Sequence, residues 1–283
     1  MTRPLRIEYE GAVYHVTARG NAKAPIFDDD KDRLIFCKIL SETKKKYNVI
    51  YHAYCLMGNH YHLVVETPEA NLSKAMRNIN GIYTQDYNRK HKRVGHVFQG
   101  RYKAVLIDRE EYLLEVIRYI NLNPVRAGLV KNPKEWEWSS FCGTAGIVSK
   151  VDFLDTDWIL ENFGRDKELA QKQYIEFVKA GIEGKSLVEK ISHQNILGND
   201  SFIQKISQYI EGKRDIKEIS RNQRYVGRPN LEEIFDEKFR GKEKRNTLIK
   251  RAVVEYGYPQ KEVARFLGKH YTSISKILNR GKG

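Results

Sequence analysis

Cysteine is scarce in this chain: three among 283 residues. Cys37, Cys55 and Cys142 show neither paired nor metal-ligand spacing. That excludes a disulfide scaffold and fits a reducing compartment. No apolar run is long enough to span a bilayer. Met1-Thr2-Arg3-Pro4-Leu5-Arg6 is not followed by an apolar stretch of signal-peptide length, so a cytoplasmic protein with no membrane partner is expected. Internal repeats and low-complexity tracts are absent. Acidic residues are the other shortage: 36 Asp and Glu against 50 Lys and Arg, a formal charge of +14. Such an imbalance is silent on fold but favours a polyanionic partner, nucleic acid above all. Seventeen Tyr and eleven Phe supply rings on which bases could stack, although most such rings serve a core. The length suits two domains or three.

Alternation over 11–18 predicts a strand, broken at Arg19-Gly20-Asn21. An acidic first turn and a closing lysine run predict a helix over 28–46. Strands are expected over 48–57 and 61–67, joined at Gly58-Asn59. A helix over 72–87, a strand over 101–107 and a helix over 110–122, stopped by Pro124, follow. The order β-α-β-β-α-β-α implies an α+β, ferredoxin-like antiparallel sheet with helices on one face. Beyond 136–141 the patterns turn helical. Three parts are expected: 1–145 with the sheet, a helical region 146–240 of unreadable role, and an all-α module 241–283. A basic polar stretch, 213–228, interrupts the helical part, and Asn230 with Glu233 reads as a capping box.

Two constellations carry chemistry. His60-Tyr61-His62 opens an apolar run, so alternation turns both histidines to one face and Tyr61 and Leu63 into the core. Two imidazoles at that spacing can chelate one divalent metal. The spacing alone also fits two ordinary surface histidines; the Gly58-Asn59 turn before them and the stiff strand after them favour a site. On the 110–122 helix, Tyr112, Tyr119 and Asn123 fall in one stripe beside the apolar face of Leu113, Val116, Ile117 and Ile120. A tyrosine there is held firmly and can meet a substrate, or is simply a boundary residue whose hydroxyl reaches water. Pro124 disfavours helical geometry at Asn123.

Tyr54-Cys55-Leu56-Met57-Gly58-Asn59-His60-Tyr61-His62-Leu63-Val64-Val65-Glu66-Thr67-Pro68 resembles the metal motif of the HUH transposases. Arg118-Tyr119-Ile120-Asn121-Leu122-Asn123-Pro124-Val125-Arg126-Ala127-Gly128-Leu129-Val130, followed by Glu137-Trp138-Ser139-Ser140, resembles the nucleophile helix and tail of the REP-associated tyrosine transposases. Gln99-Gly100-Arg101-Tyr102-Lys103 fits the same family, and the resemblance covers residues 1–142. It implies His60 and His62 as metal ligands, Asn123 as a third, amide-bearing ligand, Tyr119 as nucleophile, and Mg2+ or Mn2+ as cofactor. It also implies single-stranded hairpin DNA as partner, a 5′-phosphotyrosine intermediate, and a homodimer as one workable assembly. Arg77, Arg89, Lys90 and Arg101 are the expected phosphate contacts.

Residues 241–283 hold eleven Lys and Arg against three Glu, a net +8. Residues 260–280 read as a helix-turn-helix: Val263, Leu267, Ile274 and Ile277 inward, Ala264 at the crossing, Gly268 at the turn. The arrangement is similar to the DNA-binding domain of the replication initiator DnaA. It implies duplex contacts by His270, Tyr271, Thr272, Ser273 and Lys276. Two functions follow: a strand-cutting and rejoining enzyme, or a non-catalytic DNA-binding regulator on the same fold. Only the enzyme needs His60, His62 and Tyr119 together.

Overall fold

The computed structural model describes residues 7–184, 196–211, 228–235 and 242–279; most of the basic stretch 213–228 lies outside them. The chain divides into a unit Arg6–Asn199 and a second unit formed mainly by Asp200–Gly283. Among the described residues no helix is long and apolar enough to cross a membrane.

In the first unit, strand β1 (Ala12–Arg19) leads to helix α1 (Asp30–Tyr47). Asp29 and Asp32 form a reciprocal capping box at the start of α1. Lysines 44–46 occupy its last turn, where cations suit the helix dipole, and Asn48 ends it at φ 49 in the left-handed region. β2 (Ile50–Leu56), β3 (His60–Thr67), α2 (Leu72–Lys90), β4 (Lys103–Ile107) and α3 (Arg109–Asn121) follow in the expected order. A short helix α4 (Asn123–Arg126) comes next. Pro124 therefore opens a new helical turn, where its missing N–H costs nothing, and does not end the helical path.

The strands are ordered β2-β3-β1-β4-β5, where β5 is Ile196–Leu197. The first four pair antiparallel, but β5 joins β4 in parallel, so the sheet is mixed and not purely antiparallel as expected. Helices on one face is also wrong. On one side Tyr61 packs on Phe36 of α1, at 4.8 Å between ring centroids, and Phe36 on Tyr83 of α2. On the other, Val13, Ala53, Cys55 and Val64 share a core with Leu113, Val116, Ile117 and Ile120 of α3. The physical reason lies in β1, β2 and β3, which are buried nearly end to end and so must be covered twice. Those four α3 side chains are fully buried, each contributing about 2 kcal/mol to its seat.

The first unit also runs past the boundary expected at 145. After α5 (Phe141–Thr144) and α6 (Asp157–Glu161), α7 (Lys167–Lys179) places Ala170, Tyr174 and Val178 in the α3 core. A buried polar chain fastens α3 there: Asn121 Nδ2 donates to Tyr174 Oη at 2.8 Å, and Ser140 Oγ donates to Asn121 Oδ1 at 3.0 Å. The Trp138-Ser139-Ser140 segment lies along β2, with Leu56 N donating to Trp138 O and Ser140 N to Tyr54 O, which closes that sheet edge.

In the second unit, α8 (Asp200–Glu211) is followed by α9 (Leu231–Ile234), which starts at the Asn230–Glu233 capping box. α10 (Lys242–Lys250) continues through a π turn, Arg251–Glu255. α11 (Gln260–Phe266) and α12 (Tyr271–Asn279) are joined by four residues in which Gly268 takes φ +60. Val263, Ala264 and Ile274 are buried in one cluster with Leu248, Ile249 and Ala252, and Leu267 and Ile277 pack against it.

Candidate active site

The Gly58-Asn59 turn delivers His60 to the first position of β3, and its backbone is pinned by Met57 N donating to His60 O at 2.9 Å. His60 and His62 share one face, with ring centroids 5.1 Å apart and planes at 77°. That face is the one α3 covers. Tyr119, half-buried, descends from α3 with its ring edge-on to His62 at 6.1 Å. The structure thus brings His60, His62 and Tyr119 together within one chain.

His60 Nδ1 lies 2.7 Å from the Asn59 side-chain oxygen. That oxygen only accepts, so Nδ1 carries the proton and Nε2 keeps its lone pair. Burial pushes the His60 imidazole down, helped by Arg19. Burial, then His15 and His60, hold His62 well below the usual histidine range. Both rings are therefore neutral near pH 7, the form that binds a metal. The donor set fits a divalent cation held by two imidazoles, with further positions open for water and phosphate oxygens.

Two neighbours escaped the sequence reading. His15, on β1, is 6% exposed, lies 2.9 Å from His62 Nδ1 through its Nε2, and meets the Tyr119 ring at 6.1 Å. Burial pushes its pKa down to about 4. Arg126, on α4, places its guanidinium 5.2 Å from the centre of the Tyr119 ring. Burial raises the Tyr119 phenol and Arg126 opposes that rise. The strand register supplies two more. Lys103, Thr17 and His62 are aligned across three strands, and Arg19 and His60 across two, so exposed Arg19 and Lys103 lie on the histidine face.

The other expected residues fall elsewhere. Asn123 turns its amide nitrogen back onto the carbonyl oxygens of Tyr119 and Ile120, at 3.2 and 3.3 Å. Arg77 and Arg89 are exposed on α2, across the sheet from the histidines, and Arg89 pairs with Asp86 at 3.4 Å. Lys90 is matched inside the fold, 2.5 Å from Asp29 and 2.7 Å from Asp32. Arg101 is exposed just before β4. His270, Tyr271, Thr272, Ser273 and Lys276 are all exposed along the start of α12, with His270 Nδ1 2.9 Å from Thr272 Oγ1.

Among the described residues, the His, Cys or carboxylate trio whose ligand atoms lie within 4.8 Å of one another is Asp28, Asp32 and His91. Asp32 there already accepts from Lys90, His91 and the Asp28 backbone. This cluster pins the start of α1 to the end of α2.

Residues 8–123 match the family model described as "Transposase IS200 like". A curated protein of Haemophilus influenzae, named provisionally as a REP-associated tyrosine transposase, is 30% identical over 118 residues. The match covers 38% of this chain and 64% of that protein, so the chain spans under two thirds of its relative's length. A solved structure of a REP-associated tyrosine transposase bound to a REP hairpin aligns with 56% of this chain and 91% of that one. It does so at 19% identity and a TM-score of 0.44, too slight a likeness to bear on function.

Proposed function

We propose that the first unit is a ferredoxin-like HUH domain that cuts and rejoins single-stranded DNA through a 5′-phosphotyrosine at Tyr119. One juxtaposition carries the reading: the Tyr119 ring stands 6.1 Å from that of His62, which lies 5.1 Å from that of His60, inside the segment that matches the IS200-like transposases. His60 and His62, with Asn123 as third ligand, would hold a divalent cation, Mg2+ or Mn2+, which when bound would supply charge withdrawal from the scissile phosphate. Asn123 would first have to release its two backbone carbonyls.

The Tyr119 phenol oxygen attacks phosphorus, the bond from phosphorus to the 3′ oxygen breaks, and the phenol loses its proton as the leaving oxygen gains one. One phosphoester replaces another, so a later 3′-hydroxyl reverses the step and joins a new end. A phenol needs activation for this. Arg126 over the ring favours the phenolate that burial disfavours. Arg19 and Lys103 offer their charges to the flanking phosphates on the same face, with Arg101 nearby in sequence; Arg77 and Arg89 would serve a longer DNA path. Lys90, already paired, adds little. The substrate is a single-stranded hairpin. α11 and α12 form a DnaA-like helix-turn-helix that anchors duplex DNA through His270, Tyr271, Thr272, Ser273 and Lys276. A homodimer is compatible with this reading but the site does not require one.

The test is incubation with end-labelled hairpin DNA and Mn2+. A denaturant-stable protein–DNA adduct is expected from the wild type and none from Tyr119→Phe. If neither forms an adduct while both bind DNA equally, the reading gives way to a non-catalytic DNA-binding regulator.

A further inference from the structure

We infer that His15 is a positioning residue: its Nε2 accepts the Nδ1–H of His62 and so turns the His62 Nε2 lone pair toward the metal position. This rests on the metal site proposed above. His15 Nε2 and His62 Nδ1 are 2.9 Å apart, and the two ring planes lie within 18°. The centroid separation of 5.1 Å matches that nitrogen distance plus both ring radii. The two nitrogens therefore face each other along the line of centroids, in the ring planes, where a lone pair and an N–H point.

One of the two must donate. If His15 donated, His62 would carry its proton on Nε2 and could not use that nitrogen as a ligand. If His62 donates, its Nε2 is free, as is that of His60, whose Nδ1–H is taken by Asn59. Each histidine of the pair then has its own acceptor behind it, Asn59 from the turn and His15 from the next strand. Such partners fix ring orientation and tautomer.

The residue type supports a role beyond packing. His15 is buried, and its Nδ1 has no hydrogen-bond partner among the described residues. A buried unsatisfied polar atom is destabilising, and an apolar residue would fill this place between Val13 and Thr17 without that burden. What the imidazole adds is the contact from Nε2. Nor does His15 complete a three-histidine ligand set, since among the described residues the trio with mutually close ligand atoms is the one at Asp28, Asp32 and His91.

The experiment is Mn2+ affinity of the full chain, read from the free Mn2+ paramagnetic resonance signal without DNA. His15→Leu removes the acceptor; His15→Gln places its carbonyl oxygen near the position of Nε2. We expect Mn2+ binding to weaken about 10- to 100-fold in His15→Leu and to return to near wild type in His15→Gln. Thermal unfolding in chelator separates this from misfolding, because Leu should leave the metal-free fold as stable or more so. Wild-type affinity in His15→Leu would overturn the inference. So would equal loss in both variants, which would make His15 a ligand itself. The double variant His60→Ala with His62→Ala tests the underlying site: if it binds Mn2+ like the wild type, the metal reading fails, whatever His15 does.

Discussion

Glu66 lies two alternations beyond His62 on the same face of β3, and replacing it with Ala should cost about 3 kcal/mol. Its carboxylate accepts from His52 Nε2 at 2.7 Å and from Arg109 Nη1 at 2.9 Å. The Glu66 side chain is 10% exposed and that of Arg109 is 32% exposed. Breaking a buried ion pair typically costs about 3–5 kcal/mol; water reaches the freed Arg109, which puts the figure at the lower end. Arg109 is the first residue of α3, so the pair also ties the tyrosine helix to the histidine strand. Trp158 packs on Arg109 at 4.9 Å and on His52 at 6.3 Å, and the chain's three tryptophans, 136, 138 and 158, all lie in the first unit. Urea unfolding followed by tryptophan fluorescence therefore reports on that unit. Burial pushes the Glu66 pKa up, but the His52 contact and Arg109 more than reverse this and leave it below the usual value. A depressed carboxylate stabilises fully above its unfolded pKa and loses that contribution as pH falls through the folded one. The gap between wild type and Glu66→Ala should be full at pH 7 and shrink below about pH 4. A gap under about 1 kcal/mol at pH 7, against the range expected for such pairs, or one that stays constant into acid, would refute the reasoning.

Two other perturbations are specific. Gly20→Ala brings a Cβ to 1.9 Å from Ala24 O, which the backbone must relieve. Because Gly20 N donates to Asn59 O at 2.8 Å, the strain reaches the turn before His60, and urea unfolding should show a loss of about 2–3 kcal/mol. Lys276→Gln, at an exposed position of α12, should lower the salt slope of duplex binding by about 1 if that lysine neutralises one phosphate; an unchanged slope removes it from the interface.

The β-α-β-β-α-β-α order was legible because each element carries its own period and punctuation, as with the Asp29–Asp32 box and the lysines closing α1. His60, His62 and Tyr119 were legible as types at spacings that put them on usable faces. His15 was not: one histidine between Tyr14 and Val16 in an apolar strand looks like core, and only strand pairing sets it beside His62. Arg126 was hidden by the expectation that Pro124 ends the helical path. The second covered face was missed because α3 and α7 meet through residues some fifty positions apart, such as Asn121 and Tyr174. β5 has two residues, too few for any period to register.

The central claim is that Tyr119, and no other tyrosine, becomes joined to DNA. Tyr112 is its natural control, two turns earlier on the same helix α3. The full chain is incubated with a single-stranded hairpin and Mn2+, digested with nuclease and protease, and the peptides are sequenced by mass spectrometry. The account predicts a nucleotide remnant on Tyr119, with a phosphate linked to its phenol oxygen. A remnant on Tyr112 or on a tyrosine outside α3, with Tyr119 unmodified, would contradict it.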